Sequence, residues 1–184
     1  MTDVPEFSRP VEIDKIGKDG LTEDIIAEPE ELAALAERMK LPAIRELKAH
    51  LELAPWKKGR IRVRGHFTAV VDQECVRTLD VFTSEVGESV DRIYIKPEFV
   101  TAGEMKESPD FDAEAPEAPD VIVDEVIDIG ELVAESLALA LDPWPKKPGT
   151  TYVDYHSGED GDAEEENDGR ESPFAALEKL RKDN

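Results

Sequence analysis

The sequence contains little cysteine, histidine or aromatic side chain. Its 184 residues include one cysteine, Cys75, and three histidines, and aromatic residues make up 6% of the chain. A single cysteine excludes an internal disulfide and is typical of a protein from a reducing compartment. We therefore expect a cytoplasmic protein.

Long apolar runs and nucleotide-binding motifs are also missing. No stretch of about 18 apolar residues occurs, so we expect no membrane span and no membrane partner. The first residues, MTDVPEFSRPVEI, lack the basic start and apolar run of a secretory signal. Neither GxGxxG nor GxxxxGK[ST] is present. We expect no bound cofactor.

Residue patterns for catalysis are weak. Nucleophilic catalysis needs an activated side chain with a base in reach, and His50, His66 and His156 lie in no recognisable catalytic context. A free cysteine beside a core strand, such as Cys75, is more often buried than reactive. The acidic runs lack the spacing of an EF-hand. These features predict neither an enzyme nor a metal site.

The formal net charge of −22 is concentrated in two stretches. Residues 98–128 hold eleven acidic and one basic residue (−10), and residues 154–171 hold nine acidic and one basic (−8). In contrast, residues 38–64 hold nine basic and two acidic residues (+7). An acidic chain of this kind does not exclude a nucleic-acid partner.

The basic charge is densest in the segment KKGRIRVRGHF. Side chains of a strand alternate between its two faces, so three arginines share the polar face opposite apolar positions. Arg and Lys contacts to phosphate supply most sequence-independent affinity for nucleic acid, and Trp56 is placed to stack on an unpaired base. The candidate phosphate contacts in this segment are Lys57, Lys58, Arg60, Arg62 and Arg64.

Two alternatives to RNA binding by this strand stay open. The arginines of an exposed strand face pair with the acidic loops, or those loops fold over the basic patch and compete with RNA. Charge alone does not decide between these interpretations.

Periodicity predicts an α+β fold, an antiparallel sheet packed with two main helices, plus an acidic flexible loop and tail. We expect strands at residues 7–16, 47–53, 60–71, 89–96 and 120–127, with turns at 18–20 and 55–59. One helix begins at Pro29. The other follows Asp128, which caps it together with Glu131 in a variant of the capping box. Its C-terminal half, with Ala138, Leu139 and Leu141, is expected to be largely buried.

The expected organisation is one α+β domain over residues 1–153, interrupted by the flexible acidic loop at 101–120. An acidic disordered linker follows at 154–171, and a short C-terminal helix at 172–184 ends the chain. That terminal helix is expected to pack on the protein's own sheet, with partner docking as the alternative.

The second helix runs into a proline-rich turn, DPWPKKPG, at residues 142–149. Trp144 is a candidate anchor for RNA there, and Lys146 and Lys147 are candidate phosphate contacts. The preferred alternative is a helix stop whose tryptophan packs on the core, because proline after a helix needs no functional explanation.

Three segments resemble the bacterial YceD family. GHFTAVVDQECVRTLD is similar to its central motif, EVIDIGELVAESLALALDPWPKKPG to its second signature, and SPFAALEKL to its C-terminus. The resemblance implies a non-enzymatic factor required for normal accumulation of large-subunit ribosomal RNA, and therefore for ribosome assembly. The partners it implies are large-subunit rRNA or a preribosomal particle.

One position departs from the family pattern. Many members carry two cysteines separated by two residues in the central motif, whereas here the first position is Cys75 and the second is Thr78. One thiolate without a near partner makes a poor zinc site. The remaining functional alternative is an acidic protein-binding module, whose loops hold a basic ribosomal protein during assembly. A weaker alternative is an enzyme that uses Cys75.

Overall fold

Seven strands and two α-helices form the part of the chain that the computed structural model describes, residues 5–57, 59–100 and 119–150. The strands are β1 (Pro10–Glu12), β2 (Leu21–Ile26), β3 (Ala43–Trp56), β4 (Arg60–Glu74), β5 (Val81–Ile95), β6 (Asp120–Val121) and β7 (Val126–Asp128). The helices are α1 (Pro29–Met39) and α2 (Ile129–Ala140), and short 3-10 turns cover Ile13–Lys15 and Pro97–Phe99.

The main sheet has five strands in the order β2-β3-β4-β5-β6. Its neighbouring strands are antiparallel except for the short parallel pair β5–β6, and β1 and β7 form a separate antiparallel pair. The predicted α+β class is therefore confirmed.

The three central strands are longer than their apolar alternation predicts. The strand expected at 47–53 extends over Ala43–Trp56, and the one expected at 89–96 begins at Val81. The strand β2 (LTEDII) was not predicted at all, because its two acidic residues weaken the apolar pattern. Pairing with a neighbour satisfies the backbone of these polar segments whatever their side chains are.

A tight turn joins β3 to β4. Lys57 and Gly59 both have positive φ (44° and 72°), which allows the chain to reverse after Trp56, two residues later than expected. Further along β4, a Cβ atom added to Gly65 would overlap the carbonyl oxygen of His50. Glycine at position 65 therefore permits the close approach of the two strands.

The apolar core lies on one face of the main sheet, between the sheet and the two helices. Its β4 residues are those that alternate with the arginines, and the helices add Leu35, Ala36, Val133 and Leu137. We call the opposite, largely solvated face of the sheet the outer face. This one-sided burial is typical of antiparallel sheets.

Helix α1 begins at Pro29, as its sequence predicts. Pro29 occupies its first turn, and the backbone N–H of Glu28 donates to the Glu31 carboxylate at 2.8 Å. Lys40 adopts the left-handed conformation at the C-cap, and its N–H donates to the carbonyls of Ala36 and Glu37.

Helix α2 is capped by Asp128, as predicted. Its Oδ1 accepts hydrogen bonds from the backbone N–H of Gly130 (3.0 Å) and Glu131 (3.2 Å). The predicted role of the Glu131 side chain is wrong, because its carboxylate binds Arg38 of α1 at 2.9 Å instead. That ion pair links the two helices at the protein surface.

The C-terminal half of α2 is more exposed than predicted. Leu139 is 80% exposed and Ala138 is exposed, whereas Leu137 is fully buried. The expectation of a largely buried half is wrong because only one face of the helix contacts the sheet. Leu139 stays exposed on the other face, whereas Leu141 is half-buried against the core.

Several predicted features lie outside the described residues. These are residues 101–118 of the acidic loop, the acidic linker at 154–171, the terminal helix at 172–184 and Lys58. The described residues belong to one compact unit, which ends at Thr150. The expected domain limits stay a prediction.

Candidate functional site

The outer face carries the arginines that the strand pattern placed there. Ile61 and Val63 point into the core, and Arg62 and Arg64 alternate with them on the outer face, where their side chains are 20% and 55% exposed. Arg60 is partly buried at the start of the same strand. The polar face of β4 is thus central in the sheet and open to solvent.

Trp56 organises the end of this face next to the β3–β4 turn. The guanidinium carbon of Arg62 lies 4.7 Å from the Trp56 ring centroid, and the Nζ of Lys57 lies 5.8 Å from it. Cations over an aromatic face are held by its quadrupole. With 37% of its surface exposed, Trp56 contributes one aromatic face to a cluster with two cations.

Asp91 of β5 is the acidic partner of the arginines. Arg62 binds it in a bidentate geometry (2.7 and 2.6 Å), and the Nε of Arg64 lies 3.4 Å from its Oδ2. The hydrogen bonds from Arg62 hold the pKa of Asp91 below its usual value, and the charge of Arg64 adds to this effect. Asp91 therefore stays ionised and offsets part of the basic charge.

This pairing bears on the alternative in which the strand arginines pair with the acidic loops. The arginines do pair with a carboxylate, but among the described residues it comes from the neighbouring strand and not from the acidic loops. Two guanidinium groups share one carboxylate. With Lys57, the cluster keeps an excess of positive charge on a protein that is acidic overall.

The sequence did not indicate that two histidines meet on the outer face. His50 and His66 are cross-strand partners with ring centroids 5.8 Å apart, and the Nδ1 of His50 lies 2.7 Å from Asp24 Oδ1. The hairpin register contains this signal, because counting outward from the turn pairs position 50 with position 66. The pair extends the polar surface beyond Arg64.

A second group of candidate residues lies at the other end of β4. Residues 75–80, which we call the Cys75 turn, connect β4 to β5 and contact the proline-rich turn. The N–H of Val76 donates to the Pro145 carbonyl (2.9 Å), Lys147 Nζ binds Asp80 (3.1 Å), and Arg77 donates to the Thr150 carbonyl (3.0 Å). Two motifs that are about 70 residues apart in sequence thus form one surface feature.

Cys75 is buried at the centre of this contact. The backbone N–H of Lys147 lies 3.4 Å from its Sγ and donates to it. Burial alone would raise the pKa of the thiol, but the hydrogen bonds, first from Lys147 N–H and then from the Thr78 hydroxyl, lower it to about 6. Thr78 therefore stabilises the thiolate with a hydrogen bond.

No cluster of three or more metal-binding side chains occurs in residues 5–57, 59–100 or 119–150. The groups that contact the Cys75 sulfur are hydrogen-bond donors, which stabilise a thiolate. Through its hydrogen bond with the Lys147 N–H, the sulfur links the Cys75 turn to the proline-rich turn.

The proline-rich turn exposes its tryptophan. Trp144 is 70% exposed, so the preferred interpretation, in which this ring packs on the core, is wrong. Asp142 accepts a hydrogen bond from the Trp144 N–H (2.8 Å) and fixes the backbone at that point. Lys146 is exposed, whereas Lys147 is half-buried and paired with Asp80.

The candidate residues therefore form two groups. The first contains Trp56 and the arginines, and the second contains Trp144, Lys146 and Lys147. Between Arg62 and Cys75, β4 extends over about 40 Å at roughly 3.3 Å per residue. One short RNA segment cannot contact both groups in the same way.

A family model described as large ribosomal RNA subunit accumulation protein YceD matches residues 63–181. The chain belongs to this family. The match covers both turns that meet at Cys75 and begins just after Arg62. The description connects YceD proteins with accumulation of the large ribosomal RNA subunit.

The comparison with curated proteins found no match, and neither did the comparison with solved structures. None of the described helices has the length and apolar character needed to cross a membrane.

Proposed function

We propose that this YceD protein supports accumulation of large-subunit ribosomal RNA in the cytoplasm, without catalysis, by binding rRNA or a preribosomal particle through the outer face of its sheet. The observation that carries the proposal is the cluster of Trp56, Lys57, Arg62 and Arg64 on a solvated sheet face. Aromatic stacking combined with cationic contacts to phosphate suits single-stranded RNA.

The cluster is built to hold its groups in place before RNA arrives. Arg62 is fixed between the Trp56 ring and Asp91, so it loses little side-chain freedom on binding. Arg64 is 55% exposed and makes a longer contact with Asp91. In this proposal Arg62 orients the aromatic ring, while Arg64 and Lys57 contact phosphate.

The exposed proline-rich turn is a second contact in the same proposal. Trp144 and Lys146 project from a segment that the Cys75 turn holds in place. Since this turn is far from Trp56, it engages a different part of the RNA or another component of the particle.

The decisive experiment measures association of the full chain with precursor large-subunit particles. Replacement of Arg62 and Arg64 by glutamine removes both guanidinium groups without placing a new carboxylate beside Asp91. We expect co-sedimentation of the double variant with these particles to weaken about tenfold or more, because the Arg64 contact to phosphate is lost together with the cation that orients the Trp56 ring.

A matched control replaces Lys15 and Lys18 by glutamine. Both lysines are exposed and lie outside the main sheet. This control therefore loses the same charge as the arginine variant without changing the outer face. Circular dichroism verifies that each variant is folded. If the arginine variant co-sediments as well as the control, the outer face is not the binding surface.

The alternative function, an acidic module that holds a basic ribosomal protein, depends on residues 98–120. Most of these lie outside the described residues, so no described contact favours this alternative. Binding of purified basic ribosomal proteins, measured before and after neutralisation of that stretch, tests it directly.

A further inference from the structure

The outer edge of β5 is unpaired along most of its length. Among the described residues, β6 contacts only Tyr94 and Ile95 of β5. The edge from Val81 to Ile93 has no neighbouring strand in the part of the chain that the structure describes. A long edge of this kind is a template for addition of another strand.

The backbone direction along this edge follows from hydrogen bonds at the two ends of β5. The Ile95 carbonyl points outward and accepts the N–H of Ile122, whereas the Asp80 carbonyl points toward β4 and accepts the N–H of Cys75. Because N–H and C=O groups alternate direction along a strand, odd-numbered residues present theirs at the outer edge. These are Thr83, Glu85, Gly87, Ser89, Asp91 and Ile93.

The opposite edge of the sheet is less available. Strand β2 is only six residues long, and the guanidinium of Arg9 donates to the outward carbonyl of Ile26 at 3.2 Å. A side chain that occupies an edge carbonyl blocks strand addition there. The β5 edge has no such cover from any described residue.

A groove beside the β5 edge offers space for side chains. It has a volume of about 420 Å³ and lies between the even-numbered residues of β5, such as Phe82 and Val86, and the proline-rich turn with Pro145 and Pro148. An added strand would direct alternate side chains into this groove, which is how strand addition obtains specificity.

The groove is also acidic. Glu88 and Asp142 line it, Glu85 borders it at the edge of β5, and Lys146 is the basic residue of its lining. Both glutamates are exposed, and neither forms an ion pair with another described residue. This charge favours a segment that carries lysine or arginine.

We infer that the β5 edge is a docking site for an extended, basic segment of a partner protein, which joins the main sheet as a further strand. Lys146 lines the groove and is also a proposed RNA contact, but the backbone groups of the β5 edge are separate from the proposed RNA contacts and do not depend on them. Backbone hydrogen bonds supply affinity, and the groove with its two glutamates selects the sequence.

The test measures binding of a fluorescein-labelled peptide of about nine residues that alternates lysine with valine or threonine. A control peptide of the same sequence carries N-methyl groups on alternate amides, so it keeps the charge and loses its donors. We expect the unmodified peptide to bind the full chain at least about tenfold more tightly, since several hydrogen bonds are lost together. Equal binding of the two peptides would overturn the inference, because charge alone would explain it.

Two protein variants locate the site. Ser89→Pro removes one outward N–H without removing a bond to β4, since proline is tolerated at an edge where the N–H faces solvent. Thr22→Pro makes the same change on the β2 edge and is the matched control. Only Ser89→Pro should weaken the peptide, and equal weakening by both variants, or by neither, would contradict the proposal.

Hydrogen exchange of the wild-type protein gives a readout that needs no variant. Peptide binding should slow exchange at the outward amides of Glu85, Gly87 and Ser89, while the even-numbered amides between them are already protected by β4. Absence of this alternation, or sedimentation of the free protein as a dimer through the same edge, would overturn the inference.

Discussion

Replacement of Asp91 by asparagine should strengthen RNA binding. Asp91 is the shared carboxylate of Arg62 and Arg64, so its neutralisation releases positive charge on the outer face. If the ion pairs of the outer face served only folding stability, Asp91→Asn would not increase RNA affinity. The side chain of Asp91 is 47% exposed, and ion pairs at a solvated surface contribute little to folding. The variant should therefore remain folded.

The size of the gain follows from simple electrostatics. One additional cation about 4 Å from a phosphate in water favours binding by about fivefold at low salt. Each added phosphate contact to single-stranded RNA steepens the dependence of log K on log salt by about 0.7. Between about 50 and 200 mM salt this slope removes roughly 2.6-fold of the gain. We expect about fivefold tighter binding at the lower salt and about twofold at the higher.

Fluorescence anisotropy of a labelled single-stranded RNA of about 20 nucleotides measures this effect across the salt range. The matched control is Glu37→Gln, which makes the same charge change on an exposed position of α1, across the core from the outer face. Only Asp91→Asn should alter the slope. If both variants gain equally, net charge explains the result, and if Asp91→Asn weakens binding, the reasoning about the shared carboxylate is wrong.

Two further predictions concern the fold. Gly65→Ala should destabilise the protein by about 3 kcal/mol or more, because the new methyl group meets the His50 carbonyl. Denaturant unfolding measures this loss, and Gly17→Ala is the control because Gly17 has open space around it. Equal destabilisation by the two variants would contradict the packing argument. For Cys75, the folded-state pKa of about 6 lies below that of an unfolded thiol. The thiolate thus stabilises the fold fully above about pH 8.5, and this contribution is lost as the pH falls through 6. Thermal unfolding in reductant should show a difference in Tm between wild type and Cys75→Ser that grows from acid to alkaline pH. A difference that stays constant with pH would refute this prediction.

Local residue patterns predicted much of the fold. The alternation around Arg62 placed the arginines opposite the apolar positions, and the prolines and acidic residues marked where both helices begin. Strand β2 and the first half of β5 were missed because their side chains do not alternate clearly. Their backbones are ordered by pairing with β3 and β4, which is an interaction between distant segments that local patterns do not contain.

The candidate site was predicted only in part for the same reason. The segment KKGRIRVRG identified Arg62 and Arg64, and the resemblance to the YceD family identified the proline-rich turn. Neither could indicate that Asp91 binds both arginines, since that contact depends on the register of β4 with β5. Exposure of Trp144 also depends on whether a neighbour covers it, which no single segment specifies.

Periodicity, charge and the order of motifs along the chain are enough to predict the α+β class, the basic face of the central strand and the membership of the family. Three features become visible only in the folded protein: the Cys75 turn meets the proline-rich turn, Asp91 balances two arginines, and the edge of β5 is open among the described residues. Each depends on segments that are far apart in sequence. Strand pairing brings such segments together through backbone hydrogen bonds, which are nearly independent of side-chain identity, so local patterns do not reveal these contacts.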